Sequence, residues 1–207
     1  MIQADDAEER LKIFDTNGQY IGEKNRDAVH LDGDIHYVIH CWVWLDETDE
    51  LLIQVRSLQK KFGAGKLDVS CAGHYSADET FESTRELWEE LGIDVPYQKL
   101  QYIFDFEEIF EYEDYNDHEI ARIHLLKQKS RVFKPVIESE VTEILKVNRE
   151  SFVMLMKDEL KEVTGHTQSG KPLTLTQSDF VLRSKGYYKK LCNTLSDMKV
   201  MTNLEID

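Results

Sequence analysis

The sequence predicts an α/β domain in which helices pack on a mixed β-sheet. Short runs rich in β-branched and aromatic residues recur along the chain, and tight-turn signals join some of them into hairpins. Segments whose apolar residues are spaced as in a helix separate other strand-like runs. Such alternation implies that helices are layered on a sheet. With 207 residues and 41% apolar composition, the chain is long enough to form one globular domain with a sizeable core.

Two hairpins are predicted in the first part of the chain. Residues 11–14 and 20–21 flank Asn17-Gly18, a dipeptide that favours the tight turn of a β-hairpin. The run 37–45 is apolar and aromatic, which predicts a buried strand. A polar turn follows it, and the apolar run 51–56 is therefore predicted to be its hairpin partner.

The later elements follow from apolar spacing and turn residues. Apolar residues at helical spacing predict a helix over 82–91, and Gly92 is a natural end for it. In chain order we also expect a loop at 61–66, strands at 100–106 and 120–128 joined by an acidic loop, a strand at 139–147, a helix at 151–163, a polar connection at 164–176 and one or two helices over 178–199.

Composition narrows the class of function. The 40 acidic and 25 basic residues give a net charge of -15, which disfavours broad nucleic-acid binding. No apolar run is long enough to cross a bilayer, and the acidic residues 1–9 contain no apolar signal core. Cys41, Cys71 and Cys192 are far apart, so neither a disulfide framework nor a structural zinc site is expected. We expect a cytoplasmic protein with no membrane partner.

The segment from Asp105 to Glu119 is strongly acidic. It contains no lysine or arginine, so a phosphate substrate could approach it only together with cations. We expect most of these side chains to lie in a solvated loop. The eight carboxylates are Asp105, Glu107, Glu108, Glu111, Glu113, Asp114, Asp117 and Glu119.

The predicted helix carries carboxylates without matching basic residues. Glu86, Glu89 and Glu90 are spaced i, i+3 and i+4, and therefore share one face, with Glu82 one turn earlier. Like-charge neighbours at this spacing cost about 0.2–0.5 kcal/mol per pair, and only Arg85 opposes one of these glutamates. A hard divalent cation such as Mg²⁺, which prefers oxygen ligands, would neutralise such a face.

The segment 73–93 resembles the Nudix box. Residues 85–93 (RELWEELGI) match the pattern REUxEExGU, where U is a bulky apolar residue, and Gly73 followed by five residues and Glu79 matches its first half. Five residues separate Glu79 from Arg85, where the family has seven, so the loop before the helix is expected to be shorter. The resemblance implies a Nudix fold, an α/β/α sandwich with a mixed sheet, and apolar spacing adds C-terminal helices to it. We therefore expect an N-terminal hairpin extension at 1–35, a Nudix catalytic core at 36–150 and a C-terminal helical extension of the same domain at 151–207, which matches no motif of the family.

The Nudix resemblance also implies an activity. In that family the box binds a divalent cation, here Mg²⁺ or Mn²⁺, which implies ligand roles for Glu86, Glu89, Glu90 and the Gly73 carbonyl. Arg85 would orient a glutamate through a charge-assisted hydrogen bond. We expect hydrolysis of a diphosphate linkage in a small molecule of the nucleoside diphosphate-X type. The predicted catalytic residues are Arg85, Glu89, Glu90 and Glu119; Glu90 or Glu119 would accept the proton of the attacking water, and Glu119 is preferred. Whether the chain forms a homodimer is left open.

Residues 10–150 also resemble the Nudix branch that contains isopentenyl diphosphate isomerase. The sequence DVSCAGH at 68–74 and the acidic pair of Asp117 and Glu119 carry this resemblance. It implies that His36 and His74, together with that acidic pair, could form an isomerase-like metal site. The alternative function is therefore an isomerase.

Two positions weaken the isomerase hypothesis. That enzyme has a cysteine directly before its Gly-His pair, where this chain has Ala72, and Cys71 is one position too early. In a strand, this offset points the thiol to the opposite face. A count without gaps from Glu119 places Glu107 at the isomerase's tyrosine. Tyr112 and Tyr115 are nearer and could serve only if the loop is rearranged.

The remaining polar and aromatic residues are expected to be structural. We expect His40 to be a satisfied strand histidine, Trp42 and Trp44 to pack on one face in the core, and Lys60 and Lys61 to lie in a solvated loop. A third hypothesis is a catalytically silent Nudix module that senses a ligand, because fold alone does not determine function. The presence of all three box glutamates argues against it.

Overall fold

The computed structural model describes residues 9–60, 62–112, 115–129, 132–136 and 140–204. The chain divides into two compact units. The first comprises 1–41, 71–125 and 134–138, and the second comprises 42–70, 126–133 and 139–207. Among the described helices, none combines the length and the apolar character needed to span a membrane.

Eleven strands and four helices make up the described chain. In chain order they are β1 (Arg10–Phe14), β2 (Tyr20–Asn25), α1 (Arg26–Asp32), β3 (Ile35–Leu45), β4 (Glu50–Arg56), β5 (Leu67–Asp68), β6 (Cys71–His74), α2 (Arg85–Leu91), β7 (Gln101–Tyr112), β8 (Tyr115–Gln128), β9 (Val141–Asn148), α3 (Arg149–Met156), β10 (Val163–Thr167), β11 (Pro172–Leu175) and α4 (Tyr187–Leu204). Short 3-10 turns lie at Tyr97–Lys99 and Gln177–Asp179.

The first unit is organised around the beginning of β3. The antiparallel hairpin of β1 and β2 meets β3 where Phe14 pairs with Ile35. Strand β6 runs antiparallel to β3, with Val38 opposite His74 and Cys41 opposite Cys71. Strand β8 pairs with β3 and with β7. Strands from four parts of the sequence therefore meet in this unit.

The second unit is organised around β4. Strand β4 pairs with the end of β3, with β5 and with β9, and the hairpin of β10 and β11 continues from β9. Trp42 and Trp44 are 1% and 5% exposed, as expected for core residues. The Trp42 indole N–H donates to the Tyr187 hydroxyl of α4 at 3.3 Å, so the C-terminal helix is part of this core.

The structure confirms the two early hairpins. Gly18 adopts a left-handed φ of 75° in the turn between β1 and β2, a conformation that glycine reaches without steric cost. The second hairpin pairs Trp44 with Leu51, as the apolar runs predict. The described residues 62–66 form a loop, and Lys61 lies outside the described residues. The alternation of strands and helices confirms the α/β class.

The predicted acidic loop is wrong. Residues 105–112 and 115–119 belong to β7 and β8, which pair as one long antiparallel hairpin. Successive side chains of a strand point to opposite faces, so only part of the acidic segment faces solvent. Glu108, Asp117 and Glu119 are buried, and Glu113 and Asp114 lie outside the described residues.

Three C-terminal predictions also differ from the structure. The predicted helix at 151–163 is α3, which ends at Met156, because Asp158 adopts a left-handed φ of 62° that a continuing helix does not allow. The predicted polar connection at 164–176 contains the β10–β11 hairpin, whose turn places Gly170 at φ 85°. The last helix begins at Tyr187 and not at 178. The division of the chain at residues 35 and 150 stays a prediction.

Helix α1 was not predicted, although its ends carry clear signals. The Asn25 side chain accepts a hydrogen bond from the Asp27 N–H and thereby caps the first turn. Gly33 ends the helix in the left-handed conformation, with φ 71°. The helix brings the buried side chains of Val29 and His30 into the first unit.

Candidate metal and active site

Helix α2 is held in place by its apolar face. Leu87 and Leu91 are fully or almost fully buried, and Gly92 ends the helix at φ 64° with its N–H directed at the last carbonyls. Glu86 and Glu90 are 7% and 2% exposed, so they are buried together with the leucines. Helix α2 thus carries two carboxylates into the interior of the first unit.

The buried carboxylates of α2 lie against β6. A Cβ atom at Gly73 would be 2.0 Å from Glu86 Cδ, so only glycine allows this approach. Glu90 Oε2 accepts a hydrogen bond from the Ala72 N–H at 2.9 Å. Carboxylate oxygens of Glu86 and Glu90 lie within 4.8 Å of one another, which is close enough for one cation to bind both.

The Arg85 side chain hydrogen bonds to three glutamates of the box. Its Nε donates to Glu79 Oε1 at 3.0 Å, its Nη1 to Glu89 Oε2 at 2.6 Å and its Nη2 to Glu86 Oε1 at 2.8 Å. A further bond reaches the His74 carbonyl at 3.1 Å. Burial acts to lower the pKa of Arg85, but Glu86, Glu79 and Glu89 outweigh burial and raise it. Arg85 therefore stays charged and fixes the glutamates around it.

Glu79 reaches Arg85 even though the loop before the helix is two residues short. Its carboxylate also accepts hydrogen bonds from the Ser76 N–H at 2.9 Å and the Ser83 hydroxyl at 2.5 Å. Burial acts to raise the pKa of Glu79, but the hydrogen bonds from Arg85, Ser83 and Ser76 outweigh it and lower the pKa. The short loop thus preserves the link between the two halves of the box.

One predicted member of the helix face is not on the helix. Helix α2 begins at Arg85, and Glu82 lies in the preceding turn with an exposed side chain. Local hydrogen bonds explain the late start: the Ser83 hydroxyl donates to Glu79 and accepts from the Arg85 N–H at 3.3 Å. The structure therefore groups Glu86 with Glu90, and it places Glu89 against Arg85.

A second group of potential ligands lies on another face of β3 and β6. We call it the histidine–acid cluster. Three overlapping sets of side chains within it have ligand atoms within 4.8 Å of one another. α1, β3, β6, β7 and β8 all contribute to it. Its members are His30, His36, His40, His74, Glu108, Asp117 and Glu119.

His36 has the arrangement of a metal-binding histidine. Its Nδ1 lies 3.0 Å from the Asp34 carbonyl, an acceptor, so Nδ1 carries the proton and Nε2 carries the lone pair. Burial lowers the pKa of His36, although Asp117 opposes this effect, and the neutral form is therefore favoured. Nε2 is buried, makes no hydrogen bond and lies 3.5 Å from Asp117 Oδ1.

Other cluster members surround Asp117. His30 Nε2 is 3.9 Å from Asp117 Oδ1 and 3.2 Å from His74 Nε2. The Tyr115 hydroxyl donates to Asp117 Oδ2 at 3.1 Å, and burial raises the pKa of this tyrosine. The structure therefore brings together His36, His74, Asp117 and Glu119, the four residues that the isomerase resemblance implied.

The isomerase's cysteine is not matched, and Glu107 at the counted tyrosine position is outside the cluster. Of the two nearby tyrosines, Tyr115 contacts the cluster through Asp117. Cys71 is opposite Cys41 in the strand register, whereas His74 is opposite Val38. Cys71 and His74 therefore point to opposite faces of β6, which confirms the predicted offset. Burial raises the pKa of the Cys71 thiol well above its usual value. Glu107 is exposed and meets His118 at 2.7 Å, away from the cluster, and the Tyr112 side chain lies outside the described residues.

Sequence reasoning missed two members of the cluster, His30 and Glu108. His30 was missed because α1 was not predicted, although the spacing from Asn25 to Gly33 is typical of a capped helix. Glu108 was assigned to the acidic loop, although it continues a period-two pattern after Phe104 and Phe106. His40, expected to be a satisfied strand histidine, is buried in β3 beside Glu119, and its structural role stays a prediction. Outside the cluster, Lys60 pairs with Glu140 at 2.9 Å.

Comparisons with known proteins identify the family. Residues 35–166 match the family model described as NUDIX domain. An uncharacterized Nudix hydrolase from Clostridium acetobutylicum is 32% identical over 202 residues, which cover 92% of this chain and 98% of that protein. Isopentenyl-diphosphate Delta-isomerase 2 from Photorhabdus laumondii is 33% identical over 45% of this chain and 53% of its own length.

Solved structures support the fold. A protein from Deinococcus radiodurans aligns with a TM-score of 0.55 and 19% identity, covering 72% of this chain and 90% of that one. A MutT/nudix family protein from Enterococcus faecalis aligns with a TM-score of 0.51 and 13% identity, covering 78% of this chain and 62% of that one. At this identity the likeness concerns the fold alone, and it confirms the predicted α/β Nudix fold. The matched box, the family model and the full-length relative together show that this chain belongs to the Nudix family.

Proposed function

We propose that this chain is a hydrolase that depends on a divalent cation and cleaves a diphosphate linkage in a small molecule of the nucleoside diphosphate-X type. The observation that carries the proposal is the close approach of Glu86 to Gly73, with Glu90 beside it. Two buried carboxylates at this separation can both bind one hard divalent cation, whose charge would offset their mutual repulsion.

The residues at this site suit Mg²⁺ or Mn²⁺. Carboxylate oxygens are the ligands that these hard cations prefer, and the space over Gly73 that a Cβ would fill holds the Glu86 carboxylate instead. We assign cation binding to Glu86, Glu89, Glu90 and the Gly73 carbonyl. When bound, the cation would neutralise diphosphate charge and acidify the attacking water.

The chain's own residues provide positioning and a proton acceptor. Arg85 fixes the carboxylates of Glu86 and Glu89 through charge-assisted hydrogen bonds, so the site is preorganised before the substrate binds. Glu90 and Glu119 are the two candidates for the group that takes the proton from water. Glu119 belongs to the histidine–acid cluster, whereas Glu90 belongs to α2, so variants at the two positions separate these roles.

A panel of diphosphate compounds with Mg²⁺ or Mn²⁺ tests the activity, scored by the phosphate products released. We expect turnover of at least one nucleoside diphosphate-X compound or nucleoside triphosphate, and loss of that turnover in Glu89→Gln. Glu82→Gln is the matched control, because Glu82 is an exposed glutamate outside α2. Tight binding of one compound without turnover would instead support a ligand-sensing module.

Isopentenyl diphosphate isomerase is the second candidate. The histidine–acid cluster and the partial similarity to isomerases favour it. The orientation of Cys71 opposes it, because the thiol points away from His74. An assay for interconversion of the two isoprenoid diphosphates separates the two functions. Turnover that disappears in Cys71→Ala would replace the hydrolase proposal.

The remaining expectations concern partners and location. The proposed partner is a small-molecule diphosphate. A net charge of -15 supports the absence of a nucleic-acid partner. The cytoplasmic location, the absence of a membrane partner and the question of a homodimer stay predictions from the sequence.

A further inference from the structure

Glu108 is a buried carboxylate that neither proposed activity uses. It lies on β7 directly opposite Glu119 of β8 in the antiparallel register. Directly opposite residues share a face of the sheet, with Cβ atoms about 4.5–5.5 Å apart. Glu108 is fully buried and Glu119 is 7% exposed. Two glutamates thus face one another in an environment that penalises unneutralised charge.

His40 completes a group with these two glutamates. Its Nε2 lies 3.7 Å from Glu119 Oε1, and the side chain is 2% exposed. One ligand atom from each of His40, Glu108 and Glu119 lies within 4.8 Å of the others. The group joins β3, β7 and β8, so the packing of three strands holds it together.

A second set in the histidine–acid cluster also contains Glu119. Ligand atoms of His36, Asp117 and Glu119 lie within 4.8 Å of one another. The buried His36 Nε2 makes no hydrogen bond and lies at ion-pair distance from Asp117, so its lone pair is available to a ligand. The His36 lone pair thus points to a cation beside Glu119, in addition to the two facing glutamates.

We propose that His40, Glu108 and Glu119 bind a divalent cation, and that Glu119 bridges it to the ion of the isomerase-like metal site implied for His36 and Asp117. One imidazole nitrogen and two carboxylate oxygens suit Mn²⁺, Fe²⁺ or Zn²⁺. A carboxylate bridge would hold the ions about 3.5–4 Å apart, the spacing of two-metal sites. The proposed pair contains neither Glu86 nor Glu90, but it shares Glu119 with the proposed function. If Glu119 binds both ions, Glu90 is the remaining candidate for the proton acceptor.

Glu107 provides an internal contrast with Glu108. Adjacent residues of β7 point to opposite faces, and Glu107 is exposed and meets His118 at 2.7 Å. This exposed pair needs no cation, because water solvates both groups. Glu107→Gln therefore removes a neighbouring carboxylate while leaving the cluster intact.

Manganese titration of the full chain tests the proposal. Bound Mn²⁺ per chain is measured from the electron paramagnetic resonance signal of free Mn²⁺, and spin coupling is measured in the bound spectrum. We expect Glu107→Gln to match the unmodified chain. We expect Glu108→Gln to bind one Mn²⁺ fewer and to lose the coupled signal, and His36→Asn to lose the other ion of the pair.

The opposite results would overturn the proposal. If Glu108 and Glu119 only share a proton, Glu108→Gln mimics the protonated pair and leaves the number of bound ions unchanged. His40→Asn removes a ligand from another strand, so it repeats the test if Glu108→Gln does not fold, as judged by thermal unfolding. Hydrolysis by the unmodified chain is measured separately, and its absence would reject the proposed function without changing the ion count.

Discussion

The Glu86–Glu90 group and the histidine–acid cluster both border β6, but they are built differently. One turn of α2 supplies the first group, and Gly73 allows it to approach the strand. Five elements supply the cluster, and its members are up to 89 positions apart, from His30 to Glu119. A local motif is therefore visible in sequence, whereas a cluster of this kind becomes visible only when strand pairings are known.

Glu90→Gln tests which of the two groups carries hydrolysis. We expect kcat/KM to fall by at least about 10²-fold, because even residues that only support metal ligands cost about 10–100-fold when removed. The measurement uses the best substrate of the diphosphate panel over a range of Mg²⁺ concentrations. His74→Asn, in the cluster, should cost less than Glu90→Gln. A larger loss in His74→Asn would transfer the proposed chemistry to the cluster.

Gly73→Ala sharpens the comparison at the strand that both groups border. The new methyl group would lie 2.0 Å from Glu86 Cδ, so the carboxylate must move. We expect hydrolysis to fall about 10–100-fold, the range seen when ligand orientation is lost. Overpacking should also lower the free energy of unfolding by about 1–3 kcal/mol, measured by urea denaturation. Normal hydrolysis by this variant would show that the position of Glu86 is unimportant.

Arg85→Lys tests how Arg85 orients the carboxylates, because the carboxylates themselves stay in place. Lysine carries one point charge and cannot make the separate bonds to Glu79, Glu86 and Glu89. We expect the Mg²⁺ concentration for half-maximal activity to rise about tenfold. Arg10→Lys is the control, because Arg10 pairs with Glu23 at the surface. An equal change in both variants would assign the effect to charge alone.

Glu79→Gln should change the pH dependence of stability. The pKa of Glu79 is lowered in the folded chain below its ordinary 4.5, so the unfolded chain binds its proton more readily. The resulting stabilisation is present above the unfolded pKa and is lost as pH falls through the folded pKa. At pH 7 we expect the free energy of unfolding of Glu79→Gln to be about 1–2 kcal/mol lower than that of the unmodified chain. Denaturation at a series of pH values should show the difference shrinking below pH 4.5, and a constant difference would contradict this explanation.

The local part of the site and the core strands of the fold could be predicted from the sequence. The spacing of Glu86, Glu89 and Glu90, the end of α2 at Gly92 and the offset of Cys71 all follow from helix and strand periodicity. The start of α2 did not follow, because Ser83 and Glu79 hydrogen bond to each other in place of another helical turn. Such competition depends on side-chain geometry that periodicity does not encode.

The acidic segment was misjudged for a related reason. A high density of carboxylates is typical of exposed loops, and this expectation outweighed the alternation of Phe104, Phe106 and Glu108. Burial of Glu108 depends on the strand opposite it and on His40, which is 68 positions away in sequence. Neither of these neighbours can be identified from composition.

Cys71→Ala should have the smallest effect on hydrolysis, and it tests the separation of the two faces directly. Cys71 is fully buried opposite Cys41, and burial keeps its thiol protonated, so it has no part in chemistry on the His74 face. We expect hydrolysis to change less than about threefold, which is about 0.65 kcal/mol in the activation free energy. Hydrolysis and isoprenoid interconversion are measured on the same preparation. A large loss of hydrolysis at unchanged thermal stability would show that the thiol reaches a reacting group, and the two faces of β6 would then have to be regarded as one site.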